Sequence, residues 1–262
     1  MTEEKRASVI AIANQKGGCG KTTTTISLSA CIAEKGHKVL LIDLDPQAHA
    51  TIGLGIESHT LKRSMYDVLL NTSLGVKEVI IKTPFPNLDI APSNLVLSGA
   101  EVELVNIIGR ENLLKDYLFN NGVLDQYRYI LIDCPPSLSL LTINALTSAD
   151  YVLIPVQTHY FPLEGMKQLL NTIGIVKERL NRHLGILGIL PTLFDKRTNI
   201  SKEILQGIRE YFKDKVFNSI INVNVKLIEA SSAGRPITVY DSNSTGARDY
   251  NSLCEEVLNI AH

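Results

Sequence analysis

The chain has 262 residues, 45% of them apolar and 20% charged, with a formal net charge of −1. This is the balance of a globular protein with a sizeable core; a disordered chain is excluded, and any nucleic-acid surface has to be a local patch. No apolar run is long enough to cross a bilayer, the start MTEEKRAS does not read as a signal peptide, and Cys19, Cys31, Cys134 and Cys254 lie too far apart for a disulfide frame or a zinc site, so a cytoplasmic setting is expected.

In chain order, Val9–Ala13 reads as a short apolar strand and Lys21–Lys35 as a helix ended by Gly36. HKVLLIDLD is a second buried strand ending in acids, and 47–55 is expected to be loop. Ser64–Leu70 and Leu97–Phe119 carry helical spacing, with a short strand at NLDIAPS between them. YRYILIDCPP is a third apolar strand ending in an acid and two prolines. A helix near Leu138–Ser148 and the strand DYVLIPVQT come next. Leu163–Leu180 is predicted helical, LGILGILPTLF strand, Ser201–Asp214 helical, KVFNSII a short strand, and Thr245–Ile260 the closing helix.

The strands are continuous apolar runs alternating with helices. That pattern predicts a single α/β domain over 1–262, built on a mostly parallel sheet covered by helices on both faces. In such sheets ligands bind beyond the carboxyl ends of the strands.

The first such end carries QKGGCGKTT, Gln15–Thr23. Gly20, Lys21 and Thr22 fit the second half of the P-loop pattern, while Gln15 stands where its first glycine would be. Gly17, Gly18 and Gly20 allow the backbone to turn its N–H groups around phosphate oxygens, and the helix that follows offers its positive end. Lys21 is placed to reach the β- and γ-phosphates and the Thr22 hydroxyl to ligate Mg²⁺. The nucleotide-binding set read from the loop is Gly17, Gly18, Cys19, Gly20, Lys21, Thr22 and Thr23; a lysine at the rim such as Lys16 can simply be solvated.

Two further strand ends supply carboxylates: LLIDLDPQAHAT with Asp43 and Asp45, and YILIDCPPS with Asp133. One such acid could be a turn former; two behind a P-loop suggest metal-holding and water-orienting groups. Cys134 beside Asp133 reads as a small buried residue. No second cysteine stands with it in a cluster-binding arrangement.

With Lys16 ahead of Gly-Gly-x-Gly-Lys-Thr, the loop resembles the deviant Walker A loop of the ParA/MinD family of P-loop NTPases. YVLIPVQTHYFPLEGMKQLL, with its Pro155–Gln157 and Glu164–Gly165 positions, TLFDKRTNISKEI and NVKLIEASSAGRPITVYDSNSTGARDY extend the likeness to the partitioning branch, ParA or Soj, over nearly the whole chain. The resemblance implies ATP and Mg²⁺ as ligands. It implies that Lys16 crosses a homodimer interface to the partner's phosphates, that Asp43 and Asp133 lie near the metal with Thr22, and that Asp45 positions the attacking water. The catalytic set is then Lys16, Lys21 and Asp45. Asn224 falls at an adenine-side position, in an Asn-Val-Asn tripeptide where the family has Pro-Arg-Asn. Ala48 and His49 stand where glycine and asparagine are common.

The same resemblance implies that the ATP-bound dimer holds double-stranded DNA without sequence preference, through Arg197 and Lys226 with Lys196 adjacent. It also implies that a ParB-type centromere-binding protein stimulates hydrolysis, moving a chromosome or plasmid over the nucleoid. Two contacts per protomer would give a log–log salt slope of roughly −4. The first strand begins about eight residues in, so no helix-turn-helix domain is expected ahead of it. The alternative is a positioning ATPase for another cargo, MinD-like or a polar-organelle scaffold. The acidic tail DYNSLCEEVLNIAH lacks the basic amphipathic face that a membrane-bound version needs.

Overall fold

The computed structural model describes residues 6–71, 74–120, 122–159 and 163–261, with the side chains of 163 and 164 outside that description. The Glu164 position of the family likeness is therefore among the side chains not described. Seven strands form one sheet: β1 (Ser8–Ile12), β2 (Val39–Asp43), β3 (Ile81–Lys82), β4 (Leu88–Ala91), β5 (Tyr129–Asp133), β6 (Tyr151–Gln157) and β7 (Gly185–Thr192). Their order across the sheet is β3-β4-β2-β5-β1-β6-β7. Every pairing is parallel except β3 with β4, at one edge.

The apolar runs divide by strand period. On β1, Val9 and Ala11 enter one core and Ile10 and Ile12 the other; on β2, Leu40 and Ile42 oppose Val39 and Leu41. Both faces are thus apolar and both need helices. One face carries α3 (Met65–Leu70), α5 (Leu113–Asn120), α6 (Leu140–Ser148), α7 (Leu163–Arg179) and α8 (Asn199–Phe212). The other carries α1 (Lys21–Glu34), α2 (His49–Gly53), α9 (Val225–Ser232), α10 (Ile237–Tyr240) and α11 (Thr245–Ile260). Helix α11 starts at the N-cap Ser244, whose side chain accepts from the Ala247 N–H, and it buries Tyr250, Leu253, Cys254 and Val257. Its apolar stripe therefore faces the core. Tyr250 reaches Thr24 of α1, hydroxyl to hydroxyl, at 3.0 Å.

The six parallel strands, most flanking helices and the closing helix agree with the sequence reading; the edge strand β3 and helices α9 and α10 were not read from the sequence, and four further stretches differ. The 47–55 loop contains α2. The helix expected over 97–119 is broken: α4 (Ala100–Glu103) runs into a 3-10 turn that ends where Ile107 turns extended at φ −83° and ψ 123°, Gly109 follows at φ 74°, and α5 starts only at Leu113. KVFNSII makes only isolated bridges, Ile189 with Val216 and, just beyond it, Phe194 with Asn222. α8 begins at Asn199 and ends at Phe212, shifted two residues from expectation.

Strand order brings the site together. β5 lies between β1 and β2, so Ile12 and Asp43 are each register partners of Asp133. The loop after β1 and both strand-end acids emerge side by side.

Candidate nucleotide and metal site

The loop between β1 and α1 is held by its carbonyls. Lys21 Nζ donates to the Lys16 carbonyl at 3.0 Å, Gln157 Nε2 to that of Gly18 at 2.5 Å, and Thr192 Oγ1 to that of Cys19 at 2.8 Å. With its C=O groups tied to the scaffold, the loop is free to present N–H groups to an anion. Asn14 fixes the entry: its Oδ1 accepts from the Lys16 N–H at 3.0 Å and its Nδ2 donates to the Pro155 carbonyl at 2.6 Å. Gly18 and Gly20 sit at φ 68° and 88°, and a Cβ on Gly20 would lie 3.7 Å from Thr192 Cγ2, so the strained backbone rather than space demands glycine there. Lys16 is half-buried, Gly17 exposed and Cys19 buried; burial pushes the Cys19 thiol above its ordinary value. An unreactive thiol fits a filler role.

The acids close the other side. Asp133 is fully buried and accepts from Thr22 Oγ1 at 2.8 Å and Thr25 Oγ1 at 3.0 Å. Asp43, also fully buried, accepts from the Asp45 N–H at 3.1 Å and from the N–H and hydroxyl of Thr51 at 2.9 and 2.7 Å. Burial raises both carboxyls above the usual range, and for Asp133 the Asp43 charge raises it further; the hydroxyl and amide donors pull the other way. Two facing buried acids beside a phosphate loop create a strong demand for positive charge. Asp45, 7% exposed, lies two residues beyond the end of β2, with Oδ1 accepting from the Gln47 N–H at 2.9 Å. Among the described residues no three His, Cys, Asp or Glu side chains form a metal cluster. A hydroxyl and separated carboxylates suit Mg²⁺, which keeps most of its waters and leans on phosphate oxygens.

Beside the loop lies a cleft of ≈ 330 Å³ lined by Gly20, Thr23, Leu193, Ile221, Val223, Asn224, Val225, Leu227 and Ile228 among others. Its wall is mostly apolar, as a base ring requires. Asn224 N-caps α9, its Oδ1 accepting from the Lys226 N–H at 2.8 Å. Asn222 turns elsewhere: its N–H and Nδ2 both donate to Asp249 Oδ2, at 2.9 and 3.0 Å.

Residues 7–186 match the AAA_31 family, described as an AAA domain. The sporulation initiation inhibitor protein Soj of Bacillus subtilis is 50% identical over 249 residues, covering 95% of this chain and 97% of that protein. The chromosome partitioning protein ParA of Myxococcus xanthus is 46% identical over 250 residues, covering 95% and 87%. The chain belongs to the ParA/Soj family of partitioning ATPases.

Solved structures agree with a ParA/Soj-type fold. A cobyrinic acid a,c-diamide synthase from Mycobacterium smegmatis with bound ADP and magnesium is 36% identical with a TM-score of 0.83, covering 97% of this chain and 94% of that one. A plasmid partition protein from Borrelia burgdorferi bound to AMPPNP is 28% identical with a TM-score of 0.80, covering 97% and 99%.

The three basic positions singled out by the ParA/Soj likeness lie near the cleft. Lys196 and Arg197 are exposed and line a ≈ 520 Å³ recess with Asp195, Asn222 and Asn224. Arg197 forks onto Asp195, Nε to Oδ1 at 2.9 Å and a terminal nitrogen to Oδ2 at 2.7 Å, which holds the Asp195 carboxyl far below its usual range. Lys226 pairs with Glu229 at 2.8 Å, and the Tyr240 hydroxyl donates to the same carboxylate at 3.0 Å. Both cations therefore have a carboxylate partner in the free protein. Asn14, Thr25, Gln157 and Thr192 escaped sequence reading as site supports. Their signal was faint: a fourth threonine in a run, and polar residues at or just past the ends of three buried strands.

Proposed function

We propose that this protein is an ATP-driven switch that moves a chromosome or plasmid. Lys21 and the amides of Gly17, Gly18, Cys19, Gly20, Thr22 and Thr23 hold the triphosphate. Thr22, with Asp133 and Asp43 behind it, holds Mg²⁺, which when bound neutralises charge developing on the phosphate oxygens. Asp45 orients the attacking water, and Asn224 borders the base. Lys16 reaches the nucleotide of a second copy, so that only the ATP-bound state closes a homodimer. The dimer holds double-stranded DNA nonspecifically through Arg197, Lys226 and Lys196, in the cytoplasm on the nucleoid. A ParB-type partner accelerates hydrolysis and release.

The observation that carries this reading is the loop itself. Its carbonyls are bonded by Lys21, Gln157 and Thr192 while Thr22 is bonded to a buried strand-end acid, which leaves the loop's N–H groups for an anion and sets a hydroxyl beside carboxylates for a cation, and so supports the reading. The residues present fit Mg·ATP. Against a membrane-bound version stands α11, whose Tyr250, Leu253, Cys254 and Val257 are buried in the core. The test is a gel shift with plasmid DNA. Retardation with ATP and none with ADP is expected; equal retardation with both, or none with either, contradicts the reading.

A further inference from the structure

Thr51 ends the DPQAHAT stretch and was not among the site residues expected from the sequence. It lies on α2 and is fully buried. Its hydroxyl donates to Asp43 Oδ2 at 2.7 Å and accepts from the Ser93 N–H at 2.9 Å, and its own N–H donates to the same Asp43 oxygen at 2.9 Å. Asp43 Oδ1 in turn accepts from the Asp45 N–H at 3.1 Å. One hydroxyl thus ties three places: the end of β2, helix α2 and the chain just beyond β4. A hydroxyl has one donor and spare lone pairs, and here both capacities are used in a dry site.

We propose that Thr51 is a positioning residue for hydrolysis: it fixes the rotamer of Asp43, and Asp43 fixes the backbone of Asp45. It touches neither nucleotide nor water itself. The inference rests on the ATPase reading above. It separates two jobs within one motif, since the phosphate cradle is built by β1, α1, β6 and β7, whereas this tie lies between β2, α2 and β4. Loss of the hydroxyl should therefore disturb catalysis and leave nucleotide capture alone. A threonine whose only role is packing would show no such split.

The test compares Thr51→Val, which keeps the shape and removes the hydroxyl, with Thr51→Ser, which keeps the hydroxyl. Steady-state ATP hydrolysis gives kcat and KM, and amide hydrogen exchange is read in the nucleotide-free protein. For Thr51→Val the expected kcat falls about tenfold or more while KM stays within about threefold. Exchange speeds up at the Asp45 and Ser93 amides. Thr51→Ser stays near the parent in all three readouts. A Thr51→Val protein with parental kcat and parental exchange overturns the inference. So does a Thr51→Ser protein as impaired as Thr51→Val, or a KM that rises as far as kcat falls. A parent protein that does not hydrolyse ATP contradicts the ATPase reading instead, and the exchange comparison still decides whether Thr51 holds the Asp45 backbone.

Discussion

Thr22 Oγ1 donates to Asp133 Oδ2 across 2.8 Å, joining the first turn of the phosphate-loop helix to the end of the neighbouring strand. The bond fixes the hydroxyl against a buried carboxylate, and Thr25 supports the same carboxylate from one turn further on. Removal of the Thr22 hydroxyl leaves Asp133 with Thr25 alone. Thr22→Val is therefore expected to lower ATP affinity about tenfold or more in Mg²⁺, with little change in EDTA. Calorimetric titrations under both conditions check this; equal losses with and without metal would place Thr22 in the cradle and not at the metal.

Ala48 adopts φ 54°, ψ 29°, left-handed backbone at the N-cap of α2, and its N–H bonds the Asp45 carbonyl at 2.9 Å. Glycine accepts this conformation at no steric cost, whereas alanine loses about 1 kcal/mol or more. Part of the gain from Ala48→Gly is offset by the freer unfolded chain, so a net stabilisation of about 0.5–1 kcal/mol is expected. For a chain of this size that is a rise in Tm of roughly 1–4 °C. Calorimetry or thermal circular dichroism reads it; a lower Tm would show that neighbouring contacts, not backbone strain, govern the loop.

Arg197 is engaged by Asp195 through two side-chain bonds, so a DNA phosphate has to compete with a carboxylate for the fork. Asp195→Asn weakens the competitor and is expected to raise the affinity of the ATP-bound protein for DNA severalfold. Arg197→Glu is expected to remove DNA affinity and leave ATP-dependent dimerisation intact. Filter binding across salt concentrations checks both, with a parental log–log slope of roughly −4 if Arg197 and Lys226 of each protomer contact phosphates.

The sheet was legible because strands buried on both faces leave long apolar runs, and the phosphate loop because glycines and lysines crowd one strand end. The 97–119 stretch misled because its apolar residues recur at helical spacing, yet many remain outside the core: Ile108 is 99% exposed and Val102 77%. Periodicity reports where apolar side chains fall on a helix, not whether anything covers them. The supports of the site were hidden for another reason. Gln157 and Thr192 stand 139 and 173 residues from the carbonyls they hold, and only the strand order brings them there. Likewise, the acids beside Arg197 and Lys226 were in plain view as DKR and KLIE, but their pairing depends on local backbone conformation that spacing does not specify.

The most direct measurement is the solution mass of the Asp45→Ala protein with ATP, by light scattering, with and without Lys16→Ala. The protomer is 28.9 kDa. With ATP, Asp45→Ala should run at twice that mass, and with ADP at the single mass. Addition of Lys16→Ala should restore the single mass under ATP while nucleotide binding persists, in contrast to Lys21→Ala, which should lose the nucleotide itself. A doubled mass that survives Lys16→Ala, or a single mass for Asp45→Ala under saturating ATP, would contradict the account.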